Sequence, residues 1–354
     1  MTKLDRRRFL QVASATGVAA AVAPSAALGR SREVATPNVI GVQAENGSRV
    51  IAQHSLDERT VDITIDSMGL GHTASARILL PNGFATHLGA TWPVFYLLHG
   101  GFGTYVDWTE QSNIQKLAQT ANVLVVMPDG GSLGFYTNWW DRGAGRKPEW
   151  ETFHLVELRE ILERGLGAGD RRAIAGLSMG GFGVMSYAGR NPELFRAAAA
   201  FSGVLDTLHP TVEPIFPGLY ATWLLQTFFT PLGYDALSLF GDPVAQRAIW
   251  EAHNPADLVE NLRGIKLFVS CGNGQLGPLD PPGADPSGLL AQLEAALLLQ
   301  NREFVARARH FGLDITVDFY GPGTHTFPYW ARELERAFPL LMGAIGAAVE
   351  PRAA

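Results

Sequence analysis

Gly176-Leu177-Ser178-Met179-Gly180 is the stretch of this 354-residue chain best placed to do chemistry. It follows the short apolar run Ala173-Ile174-Ala175 and precedes a helical pattern that starts near Gly181. A G-x-S-x-G between a strand and a helix makes a sharp turn that lifts the serine hydroxyl above the sheet edge. The two glycines lack a Cβ, so strand and helix can approach closely there. The turn also aims the Met179 N–H at the position where an oxyanion would form. Ser178 is the expected nucleophile, and acyl transfer is the expected chemistry.

A serine hydroxyl is a weak nucleophile until a base takes its proton. Of nine histidines, His325 is in the expected place. It lies in Gly321-Pro322-Gly323-Thr324-His325, a loop at the carboxyl end of the apolar run 315–320. His310 falls on a helical pattern, and His54, His72, His87, His209 and His253 have no strand-end context. The base needs an acid to fix its tautomer and stabilise the imidazolium. Chain order places that acid between Ser178 and His325. Asp280, Asp285 and Glu294 all qualify. A second oxyanion donor should come from the loop after an early central strand. His99-Gly100-Gly101-Phe102-Gly103 follows the run 94–98 and fits, with the N–H of Gly101 or Phe102 as the donor. His99 reads as a structural member of that loop rather than a second base.

These residues need a sheet to hold them. Alternation over 61–65 reads as a half-exposed strand, and 76–80 as another, ended by Pro81-Asn82-Gly83. The continuous apolar runs 94–98 and 123–127 read as strands buried on both faces. Strands over 174–177, 197–201, 267–270 and 315–320 follow. Helical patterns lie between and around them, over 114–121, 153–166, 181–190, 289–310 and 329–348. Residues 30–58 show no clear period and read as a loose lead-in. Strands alternating with helices predict an α/β protein, a mostly parallel sheet with helices on both faces. One stretch breaks the rhythm. Residues 205–262 carry Phe216, Tyr220, Trp223, Phe228, Phe229, Tyr234, Phe240 and Trp250 among several prolines. This insertion follows a strand at the carboxyl edge of the sheet, where substrates bind in open α/β folds. It reads either as a wall for a long acyl chain or as an insert with its own small core.

Composition bounds the alternatives. The chain is 47% hydrophobic and 18% charged, which is globular rather than disordered. Its net charge of −6 and the lack of a basic stripe argue against a nucleic-acid partner. No dinucleotide glycine fingerprint, phosphate loop or metal-ligand spacing occurs in the sequence, so no cofactor or metal is expected. Arg6-Arg7-Arg8-Phe9-Leu10 is followed by an apolar stretch from Val12 to Ala23 and by small residues offering cleavage after Ala27 or Gly29. That is the pattern of a twin-arginine export signal over residues 1–29, a retained anchor being the alternative. The remainder, 30–354, is expected to be a single domain, secreted or held in the cell envelope. The lone Cys271 cannot make an internal disulfide.

The strand–elbow–helix context and the Ser…acid…His order are those of an α/β-hydrolase. Longer stretches make the resemblance narrower: Tyr96-Leu97-Leu98, Gly134-Phe135-Tyr136-Thr137-Asn138-Trp139, Trp150-Glu151-Thr152-Phe153 and Ser202-Gly203. Cys271-Gly272-Asn273-Gly274 and Gly323-Thr324-His325-Thr326-Phe327-Pro328-Tyr329-Trp330 continue it. Together these resemble the antigen 85 mycolyltransferases within the wider esterase D-like α/β-hydrolases, from about residue 94 to 341. The resemblance implies Glu294 as the acid, with Asp280 second, and Gly101 as the oxyanion partner of Met179. It gives Cys271 a place near the acid, where it reads as a small buried residue without a catalytic role.

The departures bear on substrate. Members of that family that use trehalose have Asp-Gly-Leu-Arg after the early strand, where this chain has His99-Gly100-Gly101-Phe102. A phenyl ring cannot replace those polar groups in holding a disaccharide. The family Trp two residues after the histidine is Phe327 here. The expectation is a secreted serine hydrolase or acyltransferase acting on an acyl ester or lipid through an acyl-enzyme. A sugar, glycerol or water would be the acceptor. A plain carboxylesterase and a non-catalytic binding protein on the same fold are the alternatives.

Overall fold

Side chains alternate across a strand, so a strand buried on both faces must be apolar throughout. β4 (Trp92–Leu98) shows this directly. Val94, Tyr96 and Leu98 join one hydrophobic core, while Phe95 and Leu97 join a second on the opposite face. The computed structural model describes residues 37–347 except 85–86, 88, 144–147, 211–219 and 221–224. The expected export signal lies outside the described residues.

Nine strands form one sheet in the order β1-β2-β3-β5-β4-β6-β7-β8-β9. β1 (Arg49–Ser55), β2 (Thr60–Asp66) and β3 (Thr73–Leu79) pair antiparallel, and β3 runs antiparallel to β5 (Leu124–Pro128). From β5 onward all pairings are parallel, through β4, β6 (Ala168–Leu177), β7 (Ala197–Phe201), β8 (Lys266–Cys271) and β9 (Ile315–Phe319). Helices α1 (Asp107–Gln111), α2 (Ile114–Gln119), α3 (Arg159–Leu166), α4 (Met179–Arg190), α5 (Arg247–Glu251), α6 (Leu289–His310) and α7 (Phe327–Ala344) connect or flank these strands. α4 and α6 pack into the first core and α7 into the second, so both faces are covered. This is the α/β-hydrolase fold.

Three expectations are corrected. Residues 49–55 are not lead-in but the edge strand β1. Among the described strands it pairs with β2 alone, a bulge interrupts the register between Val50 and Ala52, and most of its side chains are exposed. A strand with a single buried side chain, Val50, has no period to read. The helix expected over 153–166 begins with a π-helical segment, Phe153–Leu158, that turns Glu157 inward. There Glu157 accepts from Ser67 Oγ at 2.5 Å, Gly69 N–H at 2.6 Å and Asn46 Nδ2 at 2.7 Å, tying the antiparallel strands to this helix. The final helix starts two residues earlier than expected, at Phe327, and ends at Ala344.

The described part of the insertion has no separate core. Phe229, Leu239, Phe240 and Trp250 are fully buried and continue the core that holds α4. Asn254 fastens the two ends together, accepting from Thr207 N–H at 2.8 Å and donating to Asp206 at 2.9 Å and Asp257 at 2.8 Å. Phe216 and Trp223 lie outside the described residues.

Candidate active site

The end of β6 delivers Ser178 in a backbone conformation, φ 53° and ψ −117°, that L-residues rarely adopt. The structure shows why glycines flank it. A Cβ on Gly176 would sit 2.7 Å from the Gly180 backbone, and one on Gly180 only 2.6 Å from His99 O. α4 starts at once with Met179, so its N-terminal N–H groups and positive dipole end lie beside the serine.

Three side chains from three different elements meet there. His325 Nε2 is 2.9 Å from Ser178 Oγ, and His325 Nδ1 is 2.7 Å from Glu294 Oε2. His325 and Glu294 are buried while Ser178 is half-buried, which leaves the hydroxyl as the approachable group. The other carboxylate oxygen, Glu294 Oε1, accepts from Ser202 Oγ at 2.7 Å and Gly272 N–H at 2.5 Å, with the Cys271 thiol 3.5 Å away. A carboxylate so supplied with donors is held in a fixed orientation. α6 carries Glu294 and also grips the loop after β7, Asn301 donating to Gly203 O at 2.8 Å.

Asp280, the alternative acid, is used elsewhere. It accepts from Tyr329 OH at 2.9 Å, from Gly277 N–H at 2.7 Å and from the Thr324 hydroxyl, so it braces the loop that carries His325. Asp285 is exposed and caps Ser287. Burial, reinforced by the Glu294 carboxylate, pushes the Cys271 thiol well above its ordinary range, which keeps it protonated and inert.

The loop after β4 lies against the elbow: a Cβ on Gly100 would come within 3.5 Å of Ser178 Cβ. Phe102 N–H is committed to Ser132 O at 2.7 Å, which removes it as an oxyanion donor. The Gly101 and Met179 N–H groups have no acceptor among the described residues. His99 is structural. Its Nε2 accepts from Gly130 N–H at 2.8 Å, so its proton is on Nδ1, 2.7 Å from Gly100 O. His253, stacked on Phe240, is pushed down to about 4 by burial and cannot be a working base near neutrality. His310 is exposed at the end of α6.

Residues 67–341 match the Esterase family model. The chain belongs to the Esterase family. Among relatives, Esterase Rv1288 of Mycobacterium tuberculosis is 30% identical over 288 residues, covering 79% of this chain and 59% of that protein. The chain thus spans about three fifths of the length of that relative. Diacylglycerol acyltransferase/mycolyltransferase Ag85B of Mycolicibacterium smegmatis is 28% identical, covering 71% of this chain and 77% of its own. Among solved structures, Mycobacterium tuberculosis MPT51 (FbpC1) superposes with a TM-score of 0.62 at 25% identity, over 79% of this chain and 96% of that one.

Two contributors to this esterase-family site carried no role in the sequence reading, Ser202 and Trp330. Trp330 Nε1 donates to Ser202 Oγ at 3.0 Å, and its ring meets the His325 imidazole edge-on at 4.7 Å. The available signal was positional: Ser202 follows the last residue of a central parallel strand, the end of the sheet where sites form. Phe327 packs between Trp108 (5.1 Å) and Trp330 (5.6 Å), giving this side of the site an aromatic wall.

Proposed function

We propose that the protein is a serine esterase or acyltransferase in which Ser178 is the nucleophile, His325 the base and Glu294 the acid that orients it. The observation that carries this is the unbroken path Ser178 Oγ–His325 Nε2 (2.9 Å) and His325 Nδ1–Glu294 Oε2 (2.7 Å). Ser178 Oγ attacks the ester carbonyl carbon as His325 Nε2 takes the hydroxyl proton. The Met179 and Gly101 N–H groups hold the oxyanion, where each such donor is worth roughly 10²–10³ in rate. The bond to the leaving alkoxide breaks, His325 returns its proton to it, and an acyl ester remains on Ser178. Water or an alcohol then attacks, again losing its proton to His325, and the acid or new ester departs as Ser178 is reprotonated.

The reading extends to the substrate. Phe102 projects beside the oxyanion loop and meets Phe228 of the insertion, ring centroids 6.2 Å apart. Together with Phe327 this favours an apolar acyl group and water or a small alcohol as acceptor over a disaccharide. Export by the twin-arginine route rests on Arg6-Arg7-Arg8-Phe9-Leu10. N-terminal sequencing of the protein from the culture medium or envelope fraction checks it, with cleavage after Ala27 or Gly29 expected.

Single-turnover kinetics with p-nitrophenyl acyl esters of increasing chain length test the activity, with and without glycerol or trehalose. A burst of phenol, lost in Ser178→Ala, is expected. Acceleration by acceptor with an acylated product marks a transferase, and indifference with free acid as product marks an esterase. No burst and no turnover would favour the binding-protein alternative.

A further inference from the structure

The triad acid is held by more than its histidine. Ser202 is completely buried and sits at φ 46°, in the left-handed region that disfavours a residue with a Cβ. Its N–H donates to Ser270 O at 2.7 Å, which fixes the turn. Its hydroxyl lies 3.0 Å from Trp330 Nε1 and 2.7 Å from Glu294 Oε1, with the Cys271 thiol and the Tyr320 hydroxyl also facing it. An indole N–H can only donate and a hydroxyl has one proton. Trp330 therefore donates to Ser202, and the Ser202 proton goes to the carboxylate, the strongest acceptor around it, at 2.7 Å. The same Trp330 ring lies edge-on to His325 at 4.7 Å. One side chain thus touches the base directly and the acid through a single hydroxyl. It stands on α7, which begins two residues after His325.

We propose that Trp330 and Ser202 are positioning residues: a donor relay, Trp330 to Ser202 to Glu294, that sets the carboxylate against His325 Nδ1. The proposal rests on the reading of Ser178, His325 and Glu294 as the reacting set. A mere packing role would be indifferent to the two protons involved. Trp330→Phe keeps an aromatic ring and removes the N–H. Ser202→Gly removes the hydroxyl and also relieves the positive φ, which offsets part of the cost of leaving the buried Trp330 N–H unpaired.

The test uses the full-length protein with a p-nitrophenyl ester and Ser178→Ala as control. Ser202→Gly is expected to lower kcat about tenfold, well short of the ~10⁴-fold loss that follows a disabled acid. KM should stay within about twofold, because the relay touches no substrate. Trp330→Phe should act in the same direction and less. In both, the downfield proton resonance of the His325 Nδ1–H should move or broaden, and the fall in kcat should exceed what any change in melting temperature explains. If both variants keep kcat and that resonance while Ser178→Ala is dead, the relay is wrong and the triad reading stands. A fall in kcat that only tracks a lower melting temperature, with the resonance unmoved, also overturns it. Full turnover by Ser178→Ala would overturn both.

Discussion

Ser178 holds a conformation that a residue with a side chain adopts only when its surroundings impose it. Ser178→Gly should therefore abolish turnover and raise stability by about 1 kcal/mol, measured by urea unfolding. A Glu294→Gln variant removes the charge that faces the imidazolium, and kcat should fall by about 10³–10⁴ with the fold intact. A second buried carboxylate has a different signature. Burial outweighs Arg332 and Arg336, and with Asp318 nearby pushes the Glu333 carboxyl up to about 7. Between the ordinary carboxylate range and 7, the folded state then holds a proton that the unfolded chain has released, so stability falls as pH rises. Melting temperatures should decline from pH 5 to 8, and the decline should be shallower in Glu333→Gln. Among residues, the proposed nucleophile Ser178 and base His325 were legible from motif and chain order. Glu294, the proposed acid, was separable from Asp280 in the sequence only through the family resemblance, because a carboxylate's partners are set by tertiary folding. Ser202 and Trp330 were quoted for likeness and given no role, since neither is titratable.

At the scale of elements, the elbow depends on backbones packed too closely for any side chain. A Cβ on Gly180 would lie 2.6 Å from His99 O and 2.7 Å from Leu98 O. Gly180→Ala should cost roughly 1–3 kcal/mol and nearly all activity, as unfolding and turnover measured together would show. The insertion divides into two kinds of residue. Trp250 is wholly buried against Phe240, so Trp250→Ala should destabilise by about 3–5 kcal/mol. Phe228 is half-buried over Phe102. Phe228→Ala should cost about 1 kcal/mol or less and instead change the preference among acyl chain lengths. Equal effects of Phe228→Ala on all chain lengths would remove it from the acyl wall. The interior strands were legible because burial on both faces leaves continuous apolar runs. β1 was not, because one buried side chain, Val50, in a mostly exposed strand leaves no pattern.

For the molecule as a whole, the sheet order brings the ends of β4, β6, β7, β8 and β9 to one edge, and each contributes to the site. β4 supplies the glycine loop, β6 the serine, β7 Ser202, β8 the Gly272 N–H and β9 the loop of His325. Chain order announced this arrangement, since a parallel sheet gathers its strand-to-helix loops at a single end. It did not announce the acceptor, which depends on whether the closed site excludes water and holds a hydroxyl in line. The proposed mechanism requires that Ser178 become acylated with His325 as base. The direct measurement is mass spectrometry of the protein after reaction with a fluorophosphonate, in which fluoride leaves as the serine oxygen bonds to phosphorus. One adduct mapping to the peptide that contains Ser178, absent in Ser178→Ala and much slower in His325→Ala, is the expected result. An adduct on any other residue, or none under conditions where the protein turns over an ester, would contradict it.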